Sequence, residues 1–376
     1  MKILITGDLV INREYCNSNI NDSIISLFNQ SDLNIVNLEA PVTTSTSKII
    51  KTGPHLKADK NSTLQILKSL KVDVVTLANN HVLDYDEQGV GDTLEFCKEN
   101  NIKTVGAGMN LKEASQTLYI DSDEGKIAII NFAENEWASA TDESAGAHPM
   151  DIIDNAKEIK NAKEKADYVF VIVHGGHEHY NLPSPKMQKL YRFYAEQGAD
   201  IVVGHHTHCI SGNEVYNGVP IYYSLGNFLY PLSYIQKDKW YIGLIVEIKV
   251  FQKKIDTKLH PICLSKETNN LSLLDTIKKQ KVLEEIDEIN KVIINPTELN
   301  NSWNQFLDKK EKTYLNYWSP FAFLMNRYTK YFLRKTGLTF INKKGIALYL
   351  NLMRCESHSE TSQKILSNYL KDDIKA

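Results

Sequence analysis

Cysteine is sparse and unpatterned in this chain: Cys16, Cys97, Cys209, Cys263 and Cys355 are scattered over 376 residues with no Cys-x-x-Cys. An odd number at such spacing argues against a disulfide framework and fits free thiols in a reducing compartment. Long apolar runs are missing too, since no window holds the roughly 18 apolar residues that a membrane span needs. The run at the start, Met1-Lys-Ile-Leu-Ile-Thr-Gly-Asp8, is too short for a signal peptide and ends in a glycine and a carboxylate. These absences lead to the expectation of a cytoplasmic protein. Nor is there an excess of positive charge: 43 Lys and Arg against 46 Asp and Glu leave a net charge of -3. No global basic field exists to hold nucleic acid, which is disfavoured as a partner. No internal repeat is visible.

What remains is an ordinary globular composition, 42% hydrophobic and 24% charged, in a chain long enough for one large domain or two smaller ones. The histidines are unevenly placed. Six of the 11 lie in two strings, His174-Gly-Gly-His-Glu-His179 and Gly204-His-His-Thr-His208. Each follows a β-branched apolar run, Val169-Phe-Val-Ile-Val173 and Ile201-Val-Val203. A buried parallel strand that delivers polar groups at its carboxyl end has this pattern. Neutral imidazole is the commonest metal ligand, and His-x-His at a strand end can aim two rings at one centre.

The same arrangement recurs along the first two-thirds of the chain. Strands are expected over 2–6, 33–37, 72–77, 103–105, 127–132, 169–173, 201–203, 220–224 and 240–251. Helices are expected over 61–70, 93–100, 152–166 and around 186–196. This alternation argues α/β layers, and in open α/β sheets ligands bind at the carboxyl ends of strands. Asp8, Glu39, Asn80, His81, His174, His206 and His208 all fall just after a strand. Oxygen ligands with imidazoles suit Mn, Fe or Zn. A shared carboxylate can bridge two ions, and a pair about 3.5–4 Å apart can clamp a phosphoryl group and activate water. His81, beside Asn80, would be free to protonate a leaving oxygen.

From about Ser265 the pattern turns helical, which sets an expected boundary between a 1–264 domain and a 265–376 helical extension. Residues 271–294 read as one charged helix; Asn295-Pro296 breaks it, and Thr297 is a candidate N-cap for the next. An aromatic cluster follows (Tyr314, Tyr317, Trp318, Phe321, Phe323), then the basic and aromatic Arg327-Tyr-Thr-Lys-Tyr-Phe-Leu-Arg-Lys335. The plain reading of that stretch is a solvated helix with one apolar face. The sharper reading is docking to a partner or a membrane surface.

At the strand-end residues the sequence resembles the bacterial capsule-synthesis proteins of the poly-γ-glutamate (CapA-like) type, within the calcineurin-like metallophosphoesterase superfamily. The strings that carry the resemblance are Gly7-Asp8, Asn37-Leu-Glu-Ala-Pro41, Ala78-Asn-Asn-His81 with Leu83-Asp-Tyr85, and Val105-Gly-Ala-Gly108. They continue with His174-x-Gly-x-Glu178, Gly204-x-His206-x-His208 and Tyr223-Ser-Leu-Gly-Asn-Phe228. Each is weak alone; seven in order across 1–251 are strong. The resemblance implies a four-layer αββα sandwich and one or two divalent ions. It implies Asp8, Glu39, Asn80, His174, His206 and His208 as ligands, Glu39 as the bridging carboxylate, and His81 as the acid. One departure matters. The superfamily usually has Asp-x-His in its first motif, but Asp8 is followed by Leu9-Val10. One metal position therefore lacks an expected imidazole and is weak, empty, or completed by Glu178 or water.

Taken singly, the residues have plainer readings: Asp8 a turn residue, Glu39 a surface carboxylate, 79–81 a loop or helix cap. His177, His179 and His205 read as neighbours of the ligands. Glu178 is either a ligand or an acceptor behind one. Ser224 and Asn227 shape the pocket floor or merely a turn, Cys209 is a packed thiol, and Gly106-Ala-Gly108 is too little for a phosphate loop. Two functions follow. One is a metal-dependent hydrolase of a phosphoester or related bond in capsule or cell-surface polymer synthesis, acting on the polymer or a phosphorylated intermediate. The other is a non-catalytic scaffold that keeps the fold while its C-terminal helices dock the capsule machinery or the inner face of the membrane.

Overall fold

The computed structural model describes residues 1–51, 53–231, 238–317, 326–338, 349 and 353. A first compact unit covers Met1–Asn300. Its strands are β1 (Lys2–Leu9), β2 (Leu33–Leu38), β3 (Val74–Thr76), β4 (Lys103–Val105), β5 (Ala107–Gly108), β6 (Leu118–Ile120), β7 (Ile127–Ala133) and β8 (Gly146–Ala147). They continue with β9 (Tyr168–His174), β10 (Ile201–His205), β11 (Asn213–Tyr216), β12 (Val219–Tyr222), β13 (Asn227–Leu229), β14 (Ile242–Phe251), β15 (Lys254–Leu264) and β16 (Leu271–Leu273). Its helices are α1 (Asp22–Asn29), α2 (Lys60–Ser69), α3 (Asp86–Glu99), α4 (Leu111–Ala114), α5 (Ile152–Lys165), α6 (Pro185–Glu196) and α7 (Thr276–Ile294).

Among the described residues the strands build two large sheets. One runs β16-β15-β14-β1-β2-β3-β4, with β13 also beside β1; the other runs β11-β12-β10-β9-β7-β6. β1 to β4 pair in parallel, as do β7, β9, β10 and β12. Strands buried on both faces need apolar side chains throughout, and β1 and β9 are almost wholly buried along their length.

Alternation along each strand then assigns the layers. Ile3 and Ile5 of β1 share a core with Phe170 and Ile172 of β9, so the two sheets face each other. Leu4 packs outward with Ile24, Ile66 and Val90 of α1, α2 and α3. Val169 and Val171 pack on the opposite outside with Ile159 of α5, Tyr191 of α6 and Ile293 of α7. The result is the expected four-layer αββα sandwich. Each fully buried aliphatic or aromatic side chain contributes about 1.5–3 kcal/mol.

Some local expectations need correction. Leu271 begins a strand rather than a helix: β16 pairs with β15, and α7 starts after Asp275, whose side chain accepts from the Lys278 amide. The expected boundary at 264/265 falls inside the first unit, because β16 lies in its sheet and α7 packs on β11 and β15. Thr297 is not an N-cap. Asn295 accepts from the amides of Thr297 and Glu298, with Pro296 as the first residue of α8 (Pro296–Tyr317). Past that point the second unit contains α9 (Arg327–Thr336). Trp318, Phe321 and Phe323 of the aromatic cluster lie outside the described residues. Among the described residues no helix is long and apolar enough to cross a membrane.

Candidate metal centre

β1 delivers Asp8 where it also touches β13, and the contact requires glycine. A Cβ at Gly7 would lie 1.9 Å from the Gly226 carbonyl oxygen, and the Asp8 amide donates to that same oxygen at 3.1 Å. The Gly7-Asp8 string and the Ser224-Leu-Gly-Asn227 turn are thus two sides of one contact. One strand over, the Glu39 amide donates to the Leu9 carbonyl at 3.0 Å. Asn37 and Glu39, two residues apart, follow the period-2 rule and meet the same site. Across the gap between sheets, β9 ends at His174, and β10 runs into His206 and His208. Both of these histidines have positive φ, 92° and 54°, an uncommon backbone state for non-glycine residues that clusters at functional sites.

The structure brings the expected ligands together. Glu39, His174 and His206 form one group and Asp8, Glu39 and His208 a second, with candidate ligand atoms in each within 4.8 Å of one another. Glu39 belongs to both. His174 Nε2 lies 3.4 Å and His208 Nε2 3.8 Å from its Oε1. Asn80 joins the first group, its Oδ1 3.1 Å from His174 Nε2. His206 Nδ1 is also 3.1 Å from that nitrogen. Asp8 accepts from Asn37 Nδ2 at 2.7 Å and from the His206 amide at 3.3 Å. Asn227 donates its Nδ2 to the Trp240 carbonyl, which turns its Oδ1 to His208 Nδ1 at 2.9 Å. That bond puts the proton on Nδ1 and leaves His208 Nε2 unprotonated in the neutral ring, ready to ligate.

Electrostatics test whether a cation fits. Glu39 is fully buried, and neither of its carboxylate oxygens has a hydrogen-bond partner. Burial, then repulsion from Asp8, pushes its carboxyl up to about 8. A buried carboxylate in this state is costly without a positive partner. Burial would also raise Asp8, but the hydrogen bond from His208 and the nearby His174 and His205 rings hold it well below the usual range. Burial pushes His174 down to about 4, keeping it neutral, and likewise sends His206 well below its ordinary value. Burial opposes protonation of His208, but Glu39 and Asp8 prevail and raise it to about 10. Two carboxylates with a ring of imidazoles, one of them recruited as a counter-cation, fit divalent ions.

His81 stands beside this set. Its Nδ1 is 2.6 Å from Asp84 Oδ2, which leaves Nε2 as the nitrogen open to a reacting group. His205 belongs to neither candidate ligand group. Its Nε2 lies 2.8 Å from the Thr6 carbonyl, so the ring ties β10 of one sheet to β1 of the other. Glu178 and His179 are exposed, and Glu178 belongs to neither ligand group; it acts at a distance, raising the carboxyl of Glu39. Cys209 is buried. Asn37, Asp84, Lys51, Trp240 and Glu136 also surround the site, Glu136 with its Oε1 3.7 Å from His206 Nε2. Asn37 and Asp84 sit inside quoted strings. A polar residue within an apolar strand was the available signal for Asn37, whereas nothing local marks Lys51 or Glu136.

Residues 2–231 match the family described as bacterial capsule synthesis protein PGA_cap. The chain is 38% identical over 209 residues to the PGA biosynthesis protein CapA of Bacillus subtilis (strain 168), covering 54% of each. It is 37% identical over 182 residues to the capsule biosynthesis protein CapA of Bacillus anthracis, covering 47% of this chain and 44% of that one. It thus spans about half the length of the curated relatives it matches. Among solved structures it is similar to a novel phosphatase of Mycoplasma pneumoniae, with 14% identity, 70% of this chain and 93% of that chain covered, and a TM-score of 0.43.

Proposed function

Because the chain belongs to the bacterial capsule synthesis protein family PGA_cap, we propose that it is a metal-dependent hydrolase of a phosphoester or related bond in capsule or cell-surface polymer synthesis. The observation that carries this reading is Glu39, buried, unpartnered at both oxygens and shared by two ligand groups. Asp8, Glu39 and His208 would hold one divalent ion; Glu39, His174 and His206, with Asn80, a second. When bound, such ions polarise a phosphoryl oxygen and lower the pKa of water toward neutrality. The chain's own residues do the rest. Asn37 and Asn227 orient ligands, buried strands exclude water behind them, and His81 holds a proton at Nε2 for the leaving oxygen while Asp84 fixes its Nδ1. The free thiols of Cys16, Cys97 and Cys263 support a cytoplasmic place for this chemistry.

The test is metal analysis of protein purified without chelator, paired with hydrolysis of phosphomonoesters and phosphodiesters. Bound Mn, Fe or Zn and loss of turnover in His81→Ala and His174→Ala are expected. Absence of metal, with turnover unchanged in both variants, would sink the reading.

One observation favours the scaffold as a second reading. On α9, Tyr328, Tyr331 and Phe332 are exposed at i, i+3 and i+4, with Lys330, Arg334 and Lys335 on the same short helix. Such a helix suits an anionic lipid surface. If His81→Ala retains capsule while Tyr328, Tyr331 and Phe332 changed to Ser lose both capsule and sedimentation with phosphatidylglycerol vesicles, the scaffold reading prevails.

A further inference from the structure

We infer that Lys51 is a positioning residue for His81: its ammonium, carried on the loop between β2 and α2, fixes the Asp84 carboxylate that orients the imidazole. The inference rests on the reading that His81 serves the reacting bond.

The described residues of the loop over 40–59 hold no helix or strand, and a connection of that length that is tied down in a compact fold, rather than a linker, is usually functional. Three points on it meet Asp84. Lys51 Nζ donates to Asp84 Oδ1. The Leu56 amide donates to Oδ2 at 2.6 Å, and the Ile49 amide reaches the Asp84 carbonyl at 3.4 Å. His55 Nε2 lies 2.8 Å from the Ile49 carbonyl, tying the two limbs of the loop together. The Lys51 side chain is 3% exposed and that of Asp84 0%. Lysine is almost never this buried without a partner, so the ammonium is committed to Asp84.

The geometry divides the labour. Asp84 Oδ2 takes the His81 Nδ1 proton and the Leu56 amide. Oδ1 is left to Lys51, and a donor on each oxygen sets the plane of the carboxylate. Lys51 Nζ is also 3.2 Å from His81 Nδ1. That nitrogen already carries the proton shared with Asp84, so Lys51 acts as a fixed charge rather than as a proton acceptor. Without it the carboxylate can rotate, and the ring it holds rotates with it. A misplacement of about 1 Å in a reacting group can cost roughly 100-fold in rate.

The experiment uses the full chain loaded with metal, as Lys51→Met, Lys51→Arg and a control at exposed Lys48 on the same loop, Lys48→Met. First, nitrogen-15 imidazole NMR at fixed pH, without substrate, follows the His81 Nδ1–H resonance. It is expected to shift or vanish in Lys51→Met and to persist in Lys51→Arg and Lys48→Met. Second, kcat for an alkyl phosphoester, whose poor leaving group needs a proton, should fall about 10- to 100-fold in Lys51→Met with KM unchanged. For a nitrophenyl ester it should fall less than about 3-fold, and Lys51→Met should add nothing to His81→Ala. An unchanged Nδ1–H signal, or an equal fall with both leaving groups, overturns the inference. Should Lys51→Met not fold, Lys51→Gln is scored by the same readouts. If the wild-type chain turns over no ester, the hydrolase reading fails, while the NMR comparison still decides the role of Lys51.

Discussion

Replacing Glu39 by Gln should stabilise the metal-free chain. In the unfolded chain this carboxyl ionises near 4.5; in the folded chain without metal it does so near 8, because of burial and then Asp8. Below 4.5 it is neutral in both states and no penalty exists. Between the two values the unfolded state gains stability by ionising and the folded state does not, so the penalty grows with pH and levels off above 8. At about 1.4 kcal/mol per pH unit, it amounts to roughly 3 kcal/mol at pH 7 and about 5 kcal/mol above pH 8. Gln keeps the shape and removes the charge. Urea unfolding of Glu39→Gln and wild type between pH 4 and 9, in EDTA, should therefore show equal stability at the acid end and a widening advantage for the variant. Metal should reverse the order, since an ion that binds the folded wild type adds stability by mass action and the variant has lost the carboxylate common to both ligand groups. A variant less stable than wild type at pH 8.5 in EDTA, or metal stabilising both chains equally, would refute the assignment of Glu39 as a buried carboxylate without a hydrogen-bond donor, awaiting a cation.

Other expectations follow from neighbouring residues. His205→Phe removes the bond to the Thr6 carbonyl and should cost about 1–3 kcal/mol by denaturant unfolding, with metal content unchanged; lost metal would make His205 a ligand. Gly7→Ala places a Cβ 1.9 Å from the Gly226 carbonyl oxygen. It should destabilise by roughly 3 kcal/mol or more and lower metal content along with thermal stability. Asn227→Leu removes the acceptor that orients His208 and should weaken metal affinity about 10- to 100-fold by titration, with the fold intact by circular dichroism.

The parts of the site legible in the sequence are those in which chemistry is local. β-branched runs ending in Asp8, Glu39, Asn80 or His174 read as strands that deliver ligands, and the structure places those residues at such ends. At Leu271 an apolar residue before a charged helical stretch fits helical periodicity, whereas pairing with β15 makes it a strand. Thr297 lost to Asn295 because Pro296, lacking an amide proton, suits the first helical position and moves the cap back by two residues. Lys51 and Glu136 are not legible in the sequence because their partners, Asp84 and His206, are 33 and 70 residues away.

The sequence alone determined the kinds of side chain at the site, the strand ends that carry them and the layered α/β architecture, because apolar periodicity and residue chemistry are properties of short segments. Only the tertiary structure decided that Glu39 is shared between two groups, that His205 braces the sheets, and that Lys51 reaches His81 through Asp84. Each of these depends on distances between segments remote in the chain, and those distances are set by the packing of one sheet against the other.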